Sequence, residues 1–167
     1  MVIIEQARTV EQLGRAAYLM RSFSEWAMAA FHADDGVPPN ALRKLESELA
    51  DLPGRFSPPD GILLIAKLDG KTVGCLGGAP KDDASIEAAR LWVDPSARGH
   101  NIGAMLIKQL IQHAKTRGFK SIILRSHKDM ASAHALYHAA GFTEDLTHQT
   151  FDTLQPFELA MVLPLTK

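Results

Sequence analysis

Arg98-Gly99-His100-Asn101-Ile102-Gly103 is the segment whose residue types and spacing most directly suggest chemistry. It lies between an apolar strand ending at Val93 and an amphipathic helix beginning near Ile102. A helix N-terminus carries unpaired N–H groups and roughly half a positive charge, so a turn entering it closely can seat a phosphate. Gly99 and Gly103 remove side chains from that approach, and Arg98 adds a permanent cation. Asn101 is among the few non-glycine residues that tolerate a left-handed backbone. The segment lacks the Lys-Ser/Thr ending of a nucleotide-triphosphate loop, and it follows the fourth strand rather than the first, which argues against a dinucleotide fold. On spacing alone, an ordinary glycine-containing strand-to-helix loop stays open.

The elements that must position this turn follow from hydrophobic patterning. Val2 to Gln6 predicts a short strand, and Thr9 starts a helix with Leu13, Ala16, Ala17 and Met20 on one face. A break at residues 34–39 precedes a second helix from Asn40 through Leu49, and Pro53-Gly54 stops it. Ile62–Leu68 and Thr72–Gly78 are strands joined by Asp69-Gly70, a dipeptide suited to a tight hairpin. Ser85–Val93 is a strand, and the helix after the turn runs to about Arg117 before Gly118. Ser121–Arg125 is a strand, Ala131–Ala140 a helix, and extended structure resumes at Phe142 and finishes with Phe157–Leu165. This order predicts an α/β fold with a mixed sheet flanked by helices.

The chain has 167 residues, 46% hydrophobic and 22% charged, in keeping with one globular domain over 1–167. A formal net charge of −1 gives no global footprint for nucleic acid. The basic run Lys115, Arg117, Lys120, Arg125 and Lys128 is balanced elsewhere by acids and has no interleaved stacking aromatics. Cys75 is the only cysteine, so neither an internal disulfide nor a thiolate metal cluster is available. With no basic neighbour in sequence, it reads as a buried strand residue. No segment approaches the ~20 apolar residues of a membrane span, and the first residues lack a signal-peptide pattern, so a soluble cytoplasmic protein is expected.

Two blocks carry a family resemblance. Glu87-Ala88-Ala89-Arg90-Leu91-Trp92-Val93-Asp94-Pro95, then Arg98-x-x-Asn101-x-Gly103 and an amphipathic helix, resembles the central motif of the GNAT acetyltransferase superfamily, written Gln/Arg-x-x-Gly-x-Gly/Ala. Asn101 stands where that family normally has glycine. Ala133-His134-Ala135-Leu136-Tyr137-His138-Ala139-Ala140-Gly141-Phe142 resembles its late helix and strand, and Leu52-Pro53-Gly54, Pro58-Pro59-x-Gly61 and Gly74-Cys75 resemble small stand-alone microbial members. The resemblance implies a mostly antiparallel sheet of about seven strands with about four helices and splayed fourth and fifth strands. It implies acetyl-CoA as acyl donor. Backbone groups along Leu91, Trp92 and Val93 would meet the pantetheine arm, N–H groups from Arg98, Gly99, His100, Asn101, Ile102, Gly103 and Ala104 the pyrophosphate, and Ala133 and Tyr137 would pack beside the arm.

Acetylation of an amine requires a neutral nitrogen, a donor for the developing oxyanion and an acid for the departing thiolate. By the resemblance, Tyr137 supplies the acid and the N–H of Val93 or a neighbour the oxyanion donor. Glu87 is expected to accept the amine's proton, directly or through water. Alternatively, Glu87 and Arg90 recognise a zwitterionic substrate through its ammonium and carboxylate. Strand alternation separates these two side chains unless a bulge intervenes. Packing or a solvated salt bridge remain the plain readings of Tyr137 and of the Glu87–Arg90 pair.

His134 and His138 have the spacing of two metal ligands but no evident third, so no metal is expected. Phe23, Trp26, Phe31, Met20 and Met28 sit where, by the resemblance, the family's first helices cover the acceptor pocket, and core packing explains most of them, with one or two lining the pocket. The expected function is direct N-acetylation of a small-molecule or peptide amine in a ternary complex, without nucleic acid or membrane as partner. The rival is a non-catalytic acyl-CoA sensor or partner-binding module on the same fold. A homodimer is a family habit that no residue here determines.

Overall fold

The computed structural model describes residues 1–31, 39–147 and 150–165. The order is β1 (Val2–Gln6), α1 (Val10–Phe31), α2 (Pro39–Ala50), β2 (Ile62–Leu68), β3 (Lys71–Pro80), β4 (Ser85–Val93), α3 (Ile102–Thr116), β5 (Ser121–His127), α4 (Ala131–Ala139), β6 (Thr143–Glu144) and β7 (Glu158–Pro164). Apart from Pro39, with which α2 begins, the expected break at 34–39 lies outside the described residues.

Local chemistry sets the boundaries. At the start of α1, Thr9 Oγ1 accepts from Gln12 N–H at 3.1 Å while Gln12 Oε1 accepts from Thr9 N–H at 3.0 Å, a reciprocal box that satisfies two orphan donors. Asp69 and Gly70 both take positive φ, 51° and 86°, as a two-residue hairpin turn requires. β3 and β5 run two residues further than their patterning predicts, to Pro80 and His127. In β5 the added Ser126 and His127 pair with Leu159 and Glu158 of β7.

The seven-stranded sheet has the order β1-β2-β3-β4-β5-β7-β6. All neighbours are antiparallel except β4 and β5. Its two faces bury separate cores. On one, α3 packs Leu106, Ile107 and Leu110 against Leu64, Leu76 and Ile86. On the other, α1 and α2 pack Leu19, Met20 and Leu45 against Leu63, Ile65 and Cys75. Phe56, fully buried in this second core, needs a gap in β3: a Cβ on Gly77 would lie 2.4 Å from its ring.

The parallel pair determines where function can reside. β4 and β5 are in register only at Ser85↔Ser121, Ile86↔Ile122 and Glu87↔Ile123. Beyond Glu87, β4 keeps β3 and β5 keeps β7, but they no longer bond to each other. The expected splay is therefore present, and Glu87 stands where the strands part.

Candidate active site

The fork opens into a cleft of about 730 Å³ lined by β4, β5, α1, α4 and the loop after α2. Its two sides follow from the sheet's two faces. Ala88, Leu91 and Val93 turn toward α3 and α4, with Leu136 and Tyr137, whereas Ala89 and Trp92 turn toward α1.

On the α3 side, the turn before the helix has the geometry its sequence predicts. Asp94 Oδ1 accepts from Ser96 N–H at 2.9 Å and Ser96 Oγ at 2.6 Å, which fixes a 3-10 turn at Pro95–Ala97. Gly99 then takes φ 89° and Asn101 adopts φ 61°, ψ 24°, left-handed values that few other side chains tolerate. Met105 N–H is the first in α3 to reach back, bonding Asn101 O at 3.1 Å, and no described residue accepts from the N–H groups of Gly99 to Ala104. This row of unpaired donors at a helix start fits a pyrophosphate.

The neighbours of the turn refine its residue roles. A Cβ on Gly103 would approach Leu136 Cδ2 to 2.8 Å, so Gly103 lets α3 and α4 close together. Gly99 has open space around it and is required for its φ alone. His100 Nδ1 lies 3.0 Å from Ala97 O, which pins the ring to the turn as a donor in the Nδ1–H tautomer. The Arg98 guanidinium sits 5.1 Å from the Trp92 ring centroid, held at the cleft by a cation–π contact.

Tyr137 and Ala133 of α4 line the same side of the cleft. No hydrogen bond from a described residue engages the Tyr137 hydroxyl, and burial pushes its phenol up to about 12. It therefore stays a neutral donor across the physiological range. Cys75 is fully buried and its thiol is likewise pushed up to about 12 by burial. Contrary to the sequence expectation it does have a basic neighbour, Arg90, but desolvation outweighs that charge. A thiol so protonated and enclosed is unsuited to nucleophilic attack.

The opposite side holds a chain of charges. Arg90 has φ 65° and occupies a bulge where Arg90 and Leu91 together stand opposite Leu76 of β3. The bulge brings Glu87 and Arg90 to one face without pairing them. Arg90 Nε instead donates to Glu48 Oε2 of α2 at 2.7 Å, and Glu48 Oε1 accepts from Arg55 Nε at 2.6 Å. Glu87 lies between Arg55 Nη1 at 3.8 Å and Arg125 Nε at 3.7 Å. Sequence reasoning missed Glu48 and Arg55 altogether and read Arg125 only as part of a basic run. Of that run, Arg117 pairs with Asp60 at 2.8 Å, and Arg125 turns into the cleft.

Aromatic rings complete this side. Trp92 lies 5.5 Å from both Phe23 and Trp26, centroid to centroid. Its buried Nε1–H has no acceptor among the described residues. The His127 ring stacks between Phe31 at 4.2 Å and Phe157 at 5.4 Å. His134 and His138 do not converge on a metal. His134 Nε2 lies 3.3 Å from Ser126 Oγ and His138 Nδ1 lies 3.1 Å from Phe142 O, and no metal-holding cluster occurs among the described residues. No described helix is long and apolar enough to cross a membrane.

Comparison with known proteins agrees with this geometry. Residues 13–142 match the model of the acetyltransferase (GNAT) family. An uncharacterized N-acetyltransferase of Schizosaccharomyces pombe is 31% identical over 124 residues, which cover 72% of this chain and 76% of that protein. The human N-acetylaspartate synthetase is 29% identical over 100 residues, 59% of this chain but only 33% of the relative. The crystal structure of the PaiA N-acetyltransferase of Thermoplasma acidophilum in complex with coenzyme A superposes with a TM-score of 0.74 at 18% identity, covering 98% of this chain and 99% of that one. The chain thus belongs to the acetyltransferase (GNAT) family, as an acyl-CoA-dependent N-acetyltransferase.

Proposed function

We propose that the cleft transfers the acetyl group to a primary amine by direct attack within a ternary complex. One observation carries this reading: the β4–β5 fork has a neutral, half-buried phenol on one side and a carboxylate, Glu87, at its apex facing the other. Bound acetyl-CoA supplies an activated thioester. The N–H groups of Gly99 to Ala104 and the Arg98 guanidinium hold its pyrophosphate, and backbone groups of β4 along Leu91, Trp92 and Val93 hold its pantetheine arm. The Trp92 indole itself packs on the α1 side, so its part toward the donor falls to its backbone. Ala133 keeps the slot beside α4 open with a small side chain.

Tyr137 Oη donates to the departing sulfur, a role suited to a phenol that does not ionise near neutrality. Glu87 accepts the proton that the amine nitrogen must lose, directly or through one water. Val93 N–H or a neighbouring N–H on the splayed edge of β4 donates to the carbonyl oxygen as charge develops there. The enclosed Cys75 thiol favours direct transfer over an acyl-enzyme.

Initial rates with both substrates varied test this reading. Intersecting double-reciprocal lines are expected, and parallel lines with an acyl group trapped on Cys75 would contradict it. Glu87→Gln is expected to lower kcat and to change the shape of the kcat/KM–pH profile. An unchanged profile removes Glu87 as the base.

A further inference from the structure

Resting on the acetyl-transfer reading, we propose that the acceptor is a free α-amino acid whose carboxylate is bound by the arginines flanking Glu87. On the acceptor side of the fork, Arg55, Arg90 and Arg125 line the cleft around the carboxylate of Glu87, and Asp129 and Glu158 line the same cleft. Glu48 is spent internally, since both of its oxygens are held by Arg55 and Arg90. The arginines are not saturated in return. Among the described residues, Arg90 hydrogen-bonds only through Nε, and Arg125 makes an ion pair at 3.7 Å and a cation–π contact with Phe151 but no hydrogen bond, so their terminal N–H groups remain available to a planar anion. Neither oxygen of Glu87 receives a hydrogen bond from a described residue, which leaves both open to an amine.

The spacing selects among amines. An amine directed at Glu87 lies beside Arg125, because these two groups are in ion-pair contact. The acceptor must therefore carry its negative charge close to its nitrogen, and in an α-amino acid one carbon separates the two. A polyamine or an aminoglycoside would bring further ammonium groups against three guanidiniums. A peptide N-terminus presents an amide where the carboxylate should be, and a protein lysine presents only methylenes there. The rings of Phe23, Trp26 and Phe31 then face the rest of the acceptor and keep water from the charges.

The reaction balances without another reagent. The ammonium gives up one proton through Glu87, the nitrogen–carbonyl bond forms, and the nitrogen sheds a second proton to solvent as the carbon–sulfur bond breaks. The sulfur leaves as a thiol after taking the Tyr137 proton, which is restored from solvent. The net products are an N-acetyl amino acid, coenzyme A and one proton.

The test compares free amino acids with their carboxamides, spermidine and a short peptide, measuring thiol release and product mass under saturating acetyl-CoA. Loss of the charge-assisted contacts predicts a kcat/KM for the amide about 10–100-fold below that of its parent amino acid. Arg125→Gln should raise KM for the amino acid by about tenfold, lower kcat/KM for the amide by a much smaller factor and retain acetyl-CoA affinity by calorimetry. Amides or spermidine reacting as well as amino acids, or Arg125→Gln weakening acid and amide alike, would overturn the proposal while leaving acetyl transfer intact. Acetyl-CoA binding with no thiol release from any amine would overturn the acetyl-transfer reading and this one with it. Should Arg125→Gln fail to fold, the acid–amide comparison on the unaltered chain decides alone.

Discussion

Removing the Tyr137 hydroxyl as Tyr137→Phe isolates one proton. The ring packs with Leu136 on the α3 face of the sheet and lies 5.8 Å from Phe142, contacts that phenylalanine keeps. The hydroxyl has no hydrogen-bond partner among the described residues to lose, so folding and acetyl-CoA affinity should hold. General-acid catalysis contributes about 10²–10⁴-fold, and a phenol raised from 10.0 to about 12 is a weaker acid, which favours the lower half of that range. A fall in kcat of about 10²–10³-fold is expected, measured as thiol release with both substrates saturating. The sign of the shift adds a second readout. Because the folded-state phenol is raised above its unfolded value, the acid form persists as pH climbs past 10 and is lost only near 12. Activity of the unaltered protein should therefore rise with amine deprotonation and show no descending limb from Tyr137 at about pH 10, where an unshifted phenol would ionise. An unchanged kcat in Tyr137→Phe refutes the acid role. A descending limb near pH 10 that vanishes in the variant refutes the burial argument.

Three further outcomes follow from positions around the cleft. Asn101→Gly should hold or improve acetyl-CoA affinity in calorimetry, since glycine enters φ 61° freely, whereas Asn101→Val should lose about 1–2 kcal/mol of stability in urea melts. Gly77→Ala drives a methyl into the Phe56 ring and should destabilise by about 1–3 kcal/mol, displacing the adjacent Arg55 and raising KM for the amine. Asp145, hydrogen-bonded by Thr147 and Thr150 through side chains and backbone, has its carboxyl held well below the ordinary range. Its contribution is present above the unfolded value of about 3.9 and is lost as pH falls toward the depressed native one. Asp145→Asn should accordingly flatten the acid limb of stability against pH, as followed by circular dichroism.

The parts of this site written in local sequence were legible because local physics determines them. Thr9 at the start of α1, Asp69-Gly70 and the Arg98–Gly103 turn each need only a few neighbouring residues to define their backbone, and the structure has them as expected. Asn101 is the sharpest case, since a residue type that tolerates a left-handed backbone stands where the chain adopts one. The charge chain on the acceptor side was illegible for the opposite reason. Arg90 meets Glu48 across 42 positions, and only folding of α2 over the sheet brings them together. The bulge at Arg90 has no glycine to announce it, so alternation alone could not decide whether Glu87 and Arg90 share a face. Gly103 was assigned to the phosphate side, but its closest neighbour is Leu136 of α4, more than thirty positions away.

The central claim is that this cleft joins an acyl donor held at Gly99–Ala104 to an amine held at Glu87. Incubating the purified chain with acetyl-CoA and a panel of amines, and following thiol release with the mass of the product, tests it most directly. The account predicts stoichiometric thiol and N-acetylated product from an amino acid, with Tyr137→Phe still binding acetyl-CoA but turning over slowly. Tight acetyl-CoA binding with neither thiol nor acetylated amine would contradict it.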